Sequence, residues 1–393
     1  MNIALLTHST NPRGGVVHVL ELGRALMALG HAVTLIAPAA PGQTFFRETP
    51  CRVELATVPE VGAGSRVSPP AGADLAETVR RRIAALRAHL AALLQRERFD
   101  ILHAHDGIGA NALADLVQQA AIGGYLRTVH HVDRYGDARV QAWEERSIRA
   151  AARVLCVSAL WCQRLRDEYG VDAEQVPNGV DLIRYTPHAD TRDLQVAQRY
   201  GIRSGRPVVL TVGGIEARKN TRRLLQALLQ LRKRLPGAQL VVAGGASLLD
   251  HSAETTAFRA EAAAAGLAIG RGEAIVLTGP LPDADMPALY RTADVLAMPS
   301  LLEGFGLAAL EALACGTPAV VSRIAPFTEH FLDEGDVQWA DPLDSPSIAD
   351  ALHRAVAQGR LREPPAVCRR FAWARSAERH EALYQLSQRV EEH

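Results

Sequence analysis

Short apolar runs alternate with longer segments of helical periodicity along the chain, and this alternation limits the fold more than any other sequence feature. In the first half, the strand candidates are residues 3–7, 32–37, 101–105, 125–129 and 154–157. Helical segments lie near 17–29, 75–96, 110–121 and 139–152. Parallel sheets covered by helices on both faces produce this pattern. The sequence therefore predicts an α/β fold.

The same order of elements begins again in the second half. The strand candidates there are residues 208–212, 239–243, 274–278, 295–298 and 319–322. The helical segments lie near 221–235, 255–265, 286–293 and 307–315. We therefore expect two successive doubly wound units rather than one large sheet.

Breaks in the pattern indicate where the two units join. A Pro and an Asn-Gly pair interrupt it at 176–181, which we take as the joint. Residues 185–206 would form a variable connection into the second unit. A final helical stretch covers 366–390, and the Pro- and Gly-containing segment 59–73 is the best candidate for a mobile loop.

The charge balance and the cysteines limit the classes of partner and compartment. The 393 residues include 43 Lys plus Arg and 43 Asp plus Glu, so no excess of charge favours nucleic acid or an acidic membrane surface. The five cysteines include no Cys-x-x-Cys pair, and most lie in apolar segments, where a thiol behaves as a small hydrophobic group. The N-terminus lacks the basic region of a signal peptide, and no stretch approaches the ~20 apolar residues that span a bilayer. We expect a soluble cytoplasmic protein, for which peripheral membrane contact stays open.

The stretch 303–311 is the most informative motif. Glu303 and Glu311 stand on either side of a Gly-Phe-Gly turn, and this turn lies between a predicted strand and a predicted helix. A helix N-terminus offers unpaired N–H groups and the positive end of the helix dipole to an anion, of which phosphate is the obvious candidate. With a rise of about 1.5 Å per helical residue, the two carboxylates would lie on the order of 10 Å apart. That spacing suits hydroxyl groups at opposite ends of one extended ligand, and a nucleotide sugar has this shape.

Residues 299–318 have the pattern Pro-Ser-x-x-Glu-Gly-Phe-Gly-Leu-x-x-x-Glu-Ala-x-Ala-Cys-Gly-Thr-Pro. This string resembles the signature of retaining glycosyltransferase family 4, the group 1 glycosyltransferases, and residues 177–181 resemble the family's interdomain hinge. The resemblance implies a GT-B type fold, in which two Rossmann-like, doubly wound domains face an interdomain cleft. It places the acceptor-side domain at 1–177 and the nucleotide-sugar-binding domain at 178–365. It also implies that the C-terminal helix, within 366–393, packs back on the first domain.

Lys219 is supported by its position as well as by the resemblance. It follows a predicted strand and a Gly-Gly turn, and it lies at the N-terminus of the helix near 221–235. A compact ammonium there can neutralise the charge that builds on a departing diphosphate. In the family, the corresponding lysine contacts the donor diphosphate. The family often has an arginine where this chain has Gly214, and Arg218 is close enough in sequence to substitute for it.

The resemblance also assigns the other donor contacts. Glu303 would bind hydroxyls of the donor sugar, Glu311 would bind the ribose hydroxyls, and the amides of Phe305, Gly306 and Leu307 would face the donor. The loop at 278–279 resembles the family loop near the nucleotide base. The predicted donor-binding residues are Gly14, Gly15, Gly214, Arg218, Lys219, Thr278, Gly279, Glu303, Gly304, Phe305, Gly306, Leu307 and Glu311.

Several segments of the first half follow predicted strands at the edge where open α/β sheets bind ligands. The glycine loop at 13–15 lets the backbone approach a ligand, and it lacks the Gly-x-Gly-x-x-Gly order of a dinucleotide site. The resemblance implies that this loop faces the donor phosphates or the acceptor, and that His130 lies near the reacting sugar. The catalytic candidates are Lys219, Glu303 and His130. The acceptor-side candidates are Arg13, His105, Asp106 and His131.

The sequence predicts neither a metal nor a cofactor. His103 and His105 point to one side of a strand, and with His130 they suggest zinc, but strand-end histidines without a tight third ligand are weak evidence for it. We expect His103 to be packed. The Asp-Ala-Asp stretch at 283–285 looks like the metal-binding motif of the other large glycosyltransferase fold, yet prolines flank it and Asp285 can cap the next helix.

These patterns predict a retaining, metal-independent glycosyltransferase that moves a sugar from a nucleotide-sugar donor to an acceptor hydroxyl. The acceptor is a sugar, a lipid or another small molecule, and no motif decides between them. Family membership implies same-face attack, in which a donor phosphate oxygen helps to take the acceptor proton. Two alternatives stay open: a sugar-nucleotide epimerase or phosphorylase of similar form, and a non-catalytic sugar-nucleotide-binding protein. Gly214 keeps the second alternative open because it departs from the family pattern.

Overall fold

The computed structural model describes residues 1–59, 74–203, 205–245 and 251–391. These residues divide into two compact units. The first contains the described residues up to Gly179 together with those from Trp373 onward, and the second contains those from Val180 to Ala372. The division thus falls inside the segment 176–181. Residues 60–73, which hold nearly all of the expected mobile loop, lie outside the described residues.

The first unit is built on a parallel sheet with helices between the strands. Its strands are β1 (Asn2–Leu6), β2 (Ala32–Ala39), β3 (Arg52–Thr57), β4 (Ile101–Ala104), β5 (Leu126–Val129), β6 (Arg153–Cys156) and β7 (Ala173–Gln175). Its helices are Gly14–Ala28, Leu75–Leu94, Gly107–Gln118, Ala138–Arg149, Ala159–Tyr169 and Trp373–Glu391. The strand order is β3-β2-β1-β4-β5-β6-β7, so the direction of winding reverses between β1 and β4.

Apolar residues at helical spacing hold the helices of the first unit against the sheet. Helix Leu75–Leu94 buries Val79, Ile83, Leu86 and Leu90 on one face, and its polar residues lie on the other. Each such side chain stabilises the fold by roughly 1.5–3 kcal/mol. Asp74 caps the start of this helix by accepting hydrogen bonds from the amides of the first turn.

The second unit repeats this construction. Its strands are β8 (Val208–Val212), β9 (Gln239–Ala243), β10 (Ile275–Gly279), β11 (Val295–Met298), β12 (Ala319–Ser322) and β13 (Val337–Ala340). Its helices are Thr191–Tyr200, Thr221–Arg234, Ser252–Ala264, Met286–Thr292, Leu307–Ala314, Phe327–Phe331, Ser345–Gln358 and Ala366–Arg370. The order β10-β9-β8-β11-β12-β13 reverses between β8 and β11. The prediction of two doubly wound parallel units is confirmed.

The C-terminal segment is shared between the units. The short helix Ala366–Arg370 belongs to the second unit, whereas Trp373–Glu391 belongs to the first and packs against helix Gly14–Ala28. The segment therefore changes units at Trp373, seven residues later than the start of the predicted stretch 366–393.

Two of the five cysteines form a disulfide, which the sequence analysis does not predict. Cys156 and Cys162 form a disulfide with 6.1 Å between their Cα atoms, and Cys51, Cys315 and Cys368 are free and buried. Burial raises the pKa of the Cys315 and Cys368 thiols to about 12, so both are inert small hydrophobic groups.

Among the described residues, the helices are all too short or too polar to cross a bilayer.

Candidate functional site

The strand order of the second unit brings two polar loops together. Adjacent strands β8 and β11 lead, at their carboxyl ends, into the loops 213–220 and 299–306. Helices leave the sheet in opposite directions at this point, which is where open α/β sheets bind ligands. Lys219 belongs to the first loop and Glu303 to the second, so residues 84 positions apart in sequence meet at one sheet edge.

Two cations face one carboxylate at this edge. Lys219 Nζ donates to Glu303 Oε1 over 2.5 Å, and Arg218 Nη1 lies 3.5 Å from Glu303 Oε2. The hydroxyl of Ser300 donates to Glu303 Oε1 over 2.9 Å. Arg218 also donates to the carbonyl of Leu302 and pairs with Glu216 over 3.4 Å. Arg218 and Lys219 therefore lie on the same side of the loop.

These contacts keep Glu303 ionised although it is buried. Burial raises the pKa of its carboxyl, but the charges of Lys219 and Arg218 outweigh burial, and the pKa lies below its usual value. The side chains of Lys219 and Glu303 are only 14% and 8% exposed, so little water screens the pair. Lys219 is thereby held in one position before any ligand binds.

The glycine turn at Gly213 and Gly214 leaves space for the Lys219 side chain. Gly213 has φ of +119°, and a Cβ there would lie 2.9 Å from Lys219 Cε, so the lysine stem needs the space. Gly214 has φ of +79°, a region that side-chain-bearing residues rarely adopt. An arginine is therefore disfavoured at Gly214 by backbone conformation, and the arginine that this loop contains is Arg218.

Three strands of this sheet end in glycine turns that lie close together. The amides of Gly213 and Gly214 both donate to the carbonyl of Ala243 at the end of β9. The amide of Gly244 donates to the carbonyl of Gly279 at the end of β10, and the Thr278 hydroxyl donates to that carbonyl over 2.7 Å. The predicted loop at 278–279 therefore adjoins the turn that leads to Lys219.

Helix Leu307–Ala314 begins directly after Gly306, at the end of the loop that holds Glu303, Gly304 and Phe305. Gly306 caps it with φ of +98°, and a Cβ on Gly306 would lie 2.6 Å from the ring of Phe327. The first amides of this helix have no partner four residues earlier inside the helix, as at any helix start. Leu307 is half-buried at this start, Gly304 is half-buried in the loop, and the Phe305 ring packs against His330 with their centroids 4.3 Å apart.

Replacing Gly306 with alanine is expected to lower the free energy of unfolding by about 1–3 kcal/mol, because the backbone conformation and the Phe327 ring both oppose a side chain. Chemical denaturation measures the change. Gly335→Ala is the matched control, since Gly335 has an ordinary φ and no heavy atom within 4 Å of an added Cβ. Equal stability of the two variants would contradict the strain at Gly306.

Glu311 occupies the second turn of the same helix. Tyr290 donates from its hydroxyl to Glu311 Oε2 over 2.6 Å. Burial raises the pKa of Glu311 to about 7, and the Tyr290 hydrogen bond and the charge of Arg184 only partly offset it. Glu303 and Glu311 therefore differ in charge near neutral pH, although both were predicted to bind hydroxyl groups.

The first unit has its own reversal point, between β1 and β4. Arg13 is the last extended residue before helix Gly14–Ala28, and Gly14 and Gly15 open that helix. A Cβ on Gly15 would lie 3.4 Å from the His130 ring, so the loop passes directly over this imidazole. The predicted loop 13–15 and His130 are thus neighbours within this unit.

Of the other acceptor-side candidates, Asp106 and His131 have polar contacts, whereas His105 has no hydrogen-bond partner among the described residues. Asp106 caps helix Gly107–Gln118 by accepting the amide of Gly109 over 2.7 Å, and burial raises the pKa of its carboxyl to about 6. His131 Nε2 lies 3.2 Å from Asp133 Oδ2, near the surface. His105 is buried, and neither of its ring nitrogens has a hydrogen-bond partner among the described residues.

His18 is a site residue that the sequence analysis does not single out. It lies on the buried face of helix Gly14–Ala28, and its ring centroid is 4.9 Å from that of His105 and 4.6 Å from that of His130. One ring nitrogen of each of these three histidines lies within 4.8 Å of the others. Burial lowers the pKa of His18 to about 3 and that of the other two well below the usual value, so all three rings are neutral. Its position beside buried apolar residues of that helix, such as Val19 and Leu22, was the available signal.

His103 is packed, as expected, with both ring nitrogens bonded: Nδ1 to the Tyr384 hydroxyl over 2.7 Å and Nε2 to the Thr128 hydroxyl over 2.8 Å.

The capping role predicted for Asp285 is wrong. Its side chain makes no cap hydrogen bond and instead pairs with Arg199. Asp283 pairs with Arg184 over 2.6 Å. Both carboxylates of the 283–285 stretch therefore face arginines.

Solved structures with this architecture support the interpretation of the fold. The chain is similar to a sucrose-phosphate synthase from Thermosynechococcus elongatus, with a TM-score of 0.78, 21% identity and coverage of 99% of both chains. It is also similar to Anabaena Alr3699/HepE in complex with UDP and glucose, with a TM-score of 0.74, 15% identity and coverage of 98% of this chain and 99% of the other. Two doubly wound units with a cationic loop at a reversal point thus define a chain of the GT-B fold.

Sequence comparisons identify the family. A family model described as "Glycosyl transferases group 1" matches residues 195–366, and a second, described as "Glycosyltransferase Family 4", matches residues 12–184. The chain is 29% identical, over 91% of its length and 89% of the relative, to the GDP-mannose-dependent alpha-(1-6)-phosphatidylinositol monomannoside mannosyltransferase of Mycolicibacterium smegmatis. It is 28% identical to the D-inositol 3-phosphate glycosyltransferase of Salinispora tropica, over 94% of this chain and 78% of the relative. The chain belongs to the group 1 glycosyltransferases.

Proposed function

We propose that this glycosyltransferase transfers a sugar, with retention of anomeric configuration, from a nucleotide-sugar donor to an acceptor hydroxyl. The observation that carries the proposal is the meeting of Arg218 and Lys219 with Glu303 at the β8–β11 reversal point. A diphosphate needs cations and backbone amides, and both are present there beside the start of helix Leu307–Ala314. A relative named for GDP-mannose and a structure solved with UDP-glucose support the donor class.

Lys219 acts on the leaving group. When the bond between the anomeric carbon and the diphosphate oxygen breaks, negative charge grows on that oxygen, and the ammonium of Lys219 stabilises it. Glu303 positions the lysine, because its Oε1 accepts a hydrogen bond from Lys219 Nζ over 2.5 Å. Glu303 also accepts hydrogen bonds from donor-sugar hydroxyls. Glu311 accepts hydrogen bonds from the ribose, and Tyr290 orients its carboxylate.

Retention follows because the acceptor hydroxyl attacks the anomeric carbon on the same face from which the leaving group departs. A donor phosphate oxygen takes the proton of the acceptor hydroxyl as the new bond forms, so no protein nucleophile is required. The geometry of the two acids supports this assignment. Glu303 is neutralised by two cations and Glu311 is hydrogen-bonded to Tyr290, so neither is a free carboxylate. The role of His130 beside the reacting sugar stays a prediction.

The transfer is expected to proceed without a divalent metal. After treatment with EDTA, the rate should stay within about twofold of the untreated rate, because Lys219 and Arg218 supply the positive charge that a metal would otherwise bring. Asp283 and Asp285 already pair with arginines. The measurement is the transfer rate with chelator, then with added Mg²⁺ or Mn²⁺. A loss that Mn²⁺ restores would contradict the assignment.

The names of several relatives suggest an acceptor class. D-inositol 3-phosphate glycosyltransferase, mannosylfructose-phosphate synthase and sucrose-phosphate synthase each name a phosphorylated ring compound. We therefore assign a phosphorylated polyol or sugar as acceptor, recognised by the first unit.

A donor screen followed by a transfer assay tests the proposed function. Thermal shift with GDP-mannose, UDP-glucose and ADP-glucose identifies the donor, since a ligand that binds the folded state raises its melting temperature. Incubation of that donor with inositol phosphate or fructose phosphate, followed by NMR of the product, gives the anomeric configuration. An inverted product would overturn retention. Donor binding with neither transfer nor hydrolysis would instead support the non-catalytic alternative, and phosphate-dependent turnover would support a phosphorylase.

A further inference from the structure

Three histidines of the first unit come together from separate elements. His18 lies on helix Gly14–Ala28, His105 follows β4, and His130 follows β5. One ring nitrogen from each lies within 4.8 Å of the others. We refer to these three residues as the histidine trio. No described residue outside it belongs to a comparable group of potential metal ligands.

The trio has unused ligand atoms in a buried setting. His18 is 0% exposed and His105 is 3% exposed. His18 Nε2, both ring nitrogens of His105 and His130 Nε2 are buried without a hydrogen-bond partner among the described residues. Buried polar atoms are nearly always satisfied in folded proteins, so several unsatisfied nitrogens at one point indicate an absent partner.

One member of the trio is already oriented as a ligand. His18 Nδ1 lies 2.8 Å from Asn178 Oδ1, and both residues are buried. Because an amide oxygen can only accept, the proton lies on Nδ1, and a lone pair is left on Nε2. Metal-binding histidines are held by this kind of outer hydrogen bond.

Neighbouring histidines show that this arrangement is specific. His103 packs against His105 with ring centroids 4.1 Å apart, yet both of its nitrogens are bonded to hydroxyl groups. His380 Nδ1 donates to the carbonyl of Ser376 over 2.8 Å and its Nε2 is buried without a hydrogen-bond partner among the described residues, but His380 lies outside the group whose ligand atoms are within 4.8 Å of one another. The unsatisfied nitrogens that face one another are those of the trio.

We propose that the histidine trio binds one divalent transition-metal ion of the zinc class, with His18, His105 and His130 as its protein ligands. Three neutral imidazoles suit Zn²⁺, Co²⁺, Ni²⁺ and Cu²⁺, whereas Ca²⁺ and Mg²⁺ require oxygen ligands. At a zinc–nitrogen distance of about 2.05 Å, tetrahedral ligands stand about 3.4 Å apart, so small side-chain rotations close the trio. Three protein ligands leave the fourth position for water or another small ligand. The ion has no part in the transfer step, for which the second unit supplies the cations.

Metal binding by the unaltered chain is the direct test. Protein without an affinity tag, stripped with a chelator and dialysed, is titrated with Co²⁺ and then with Zn²⁺. We expect one Co²⁺ per chain, with the intense visible absorption of a tetrahedral nitrogen site, and its displacement by one Zn²⁺. Absence of stoichiometric binding, or only the weak spectrum of octahedral Co²⁺, would overturn the proposal.

Variants then locate the site. His18→Gln and His105→Gln should each weaken Co²⁺ binding by more than about 100-fold, and Asn178→Ala should weaken it about 10- to 100-fold through loss of orientation. His188→Gln, which removes an exposed histidine of the second unit, is the matched control and should bind as the parent chain does. Circular dichroism checks that each variant is folded. Unchanged affinity in folded His18→Gln and His105→Gln would place the ion elsewhere and overturn the assignment, whether or not the chain transfers sugar.

Discussion

Lys219→Ala is expected to lower the rate constant of sugar transfer by about 100- to 1,000-fold, the usual cost of removing one preorganised electrostatic contact to a developing negative charge. The stem of Lys219 packs against the backbone of Gly213, and its Nζ lies 2.5 Å from Glu303 Oε1. Its ammonium therefore needs no reorganisation when charge develops on the diphosphate. A steady-state assay should show the loss mainly in kcat, with a smaller change in KM.

The variant should remain folded, because Arg218 stays 3.5 Å from Glu303 and continues to neutralise it. The chain provides a matched control, since it contains two lysines against 41 arginines. The other lysine, Lys233, is exposed and bonds only to Gln230 among the described residues. Lys233→Ala should keep full activity. Full activity in Lys219→Ala as well would remove the leaving-group role.

Lys219→Arg separates charge from shape. Arginine keeps the positive charge but brings a broad planar fork in place of a compact ammonium. The pocket of Lys219 is enclosed by Gly213 and Glu303 and leaves the side chain 14% exposed. We therefore expect little recovery of activity relative to Lys219→Ala. Recovery to the parent rate would show that charge alone is required there.

The sequence predicts the interior of both sheets and misses three of their four edge strands. β3, β7 and β13 were not predicted, and each is the outermost strand of its sheet. An edge strand has one neighbour and more contact with water, so its residues do not form a continuous apolar run. In β3, for example, Arg52 and Glu54 are paired on an exposed surface. Helix Thr191–Tyr200, which lies in the expected variable connection, buries only Val196 and likewise lacks an apolar face to detect.

The candidate site was predictable where local sequence determines it. The positions of Lys219, Gly306 and Glu311 follow from a strand, a glycine turn and a helix start, which are adjacent in sequence. Contacts between distant segments were not predictable in this way. The Arg218–Glu303 pair depends on β8 lying beside β11, and the histidine trio depends on the inward rotation of His18. Strand order and helix rotation are set by packing across the whole unit, and no short pattern records them.

Donor binding should strengthen about tenfold between pH 6 and pH 8, because Glu311 has a pKa of about 7 and only its ionised form accepts two hydroxyl hydrogen bonds. Ribose hydroxyls favour the carboxylate, so donor binding releases a proton and affinity rises with pH. The diphosphate of a nucleotide sugar keeps its charge over this range. Isothermal titration of the donor at several pH values measures the dependence.

Two variants show that the effect belongs to Glu311. Glu311→Gln should bind the donor more weakly and remove the pH dependence, since an amide does not titrate and one of its two polar atoms can only donate. Tyr290→Phe removes the hydrogen bond over 2.6 Å that stabilises the carboxylate, so the pKa of Glu311 rises and the midpoint should move to higher pH. If the dependence persists unchanged in Glu311→Gln, another group controls donor binding near neutral pH, and the ribose assignment of Glu311 is wrong.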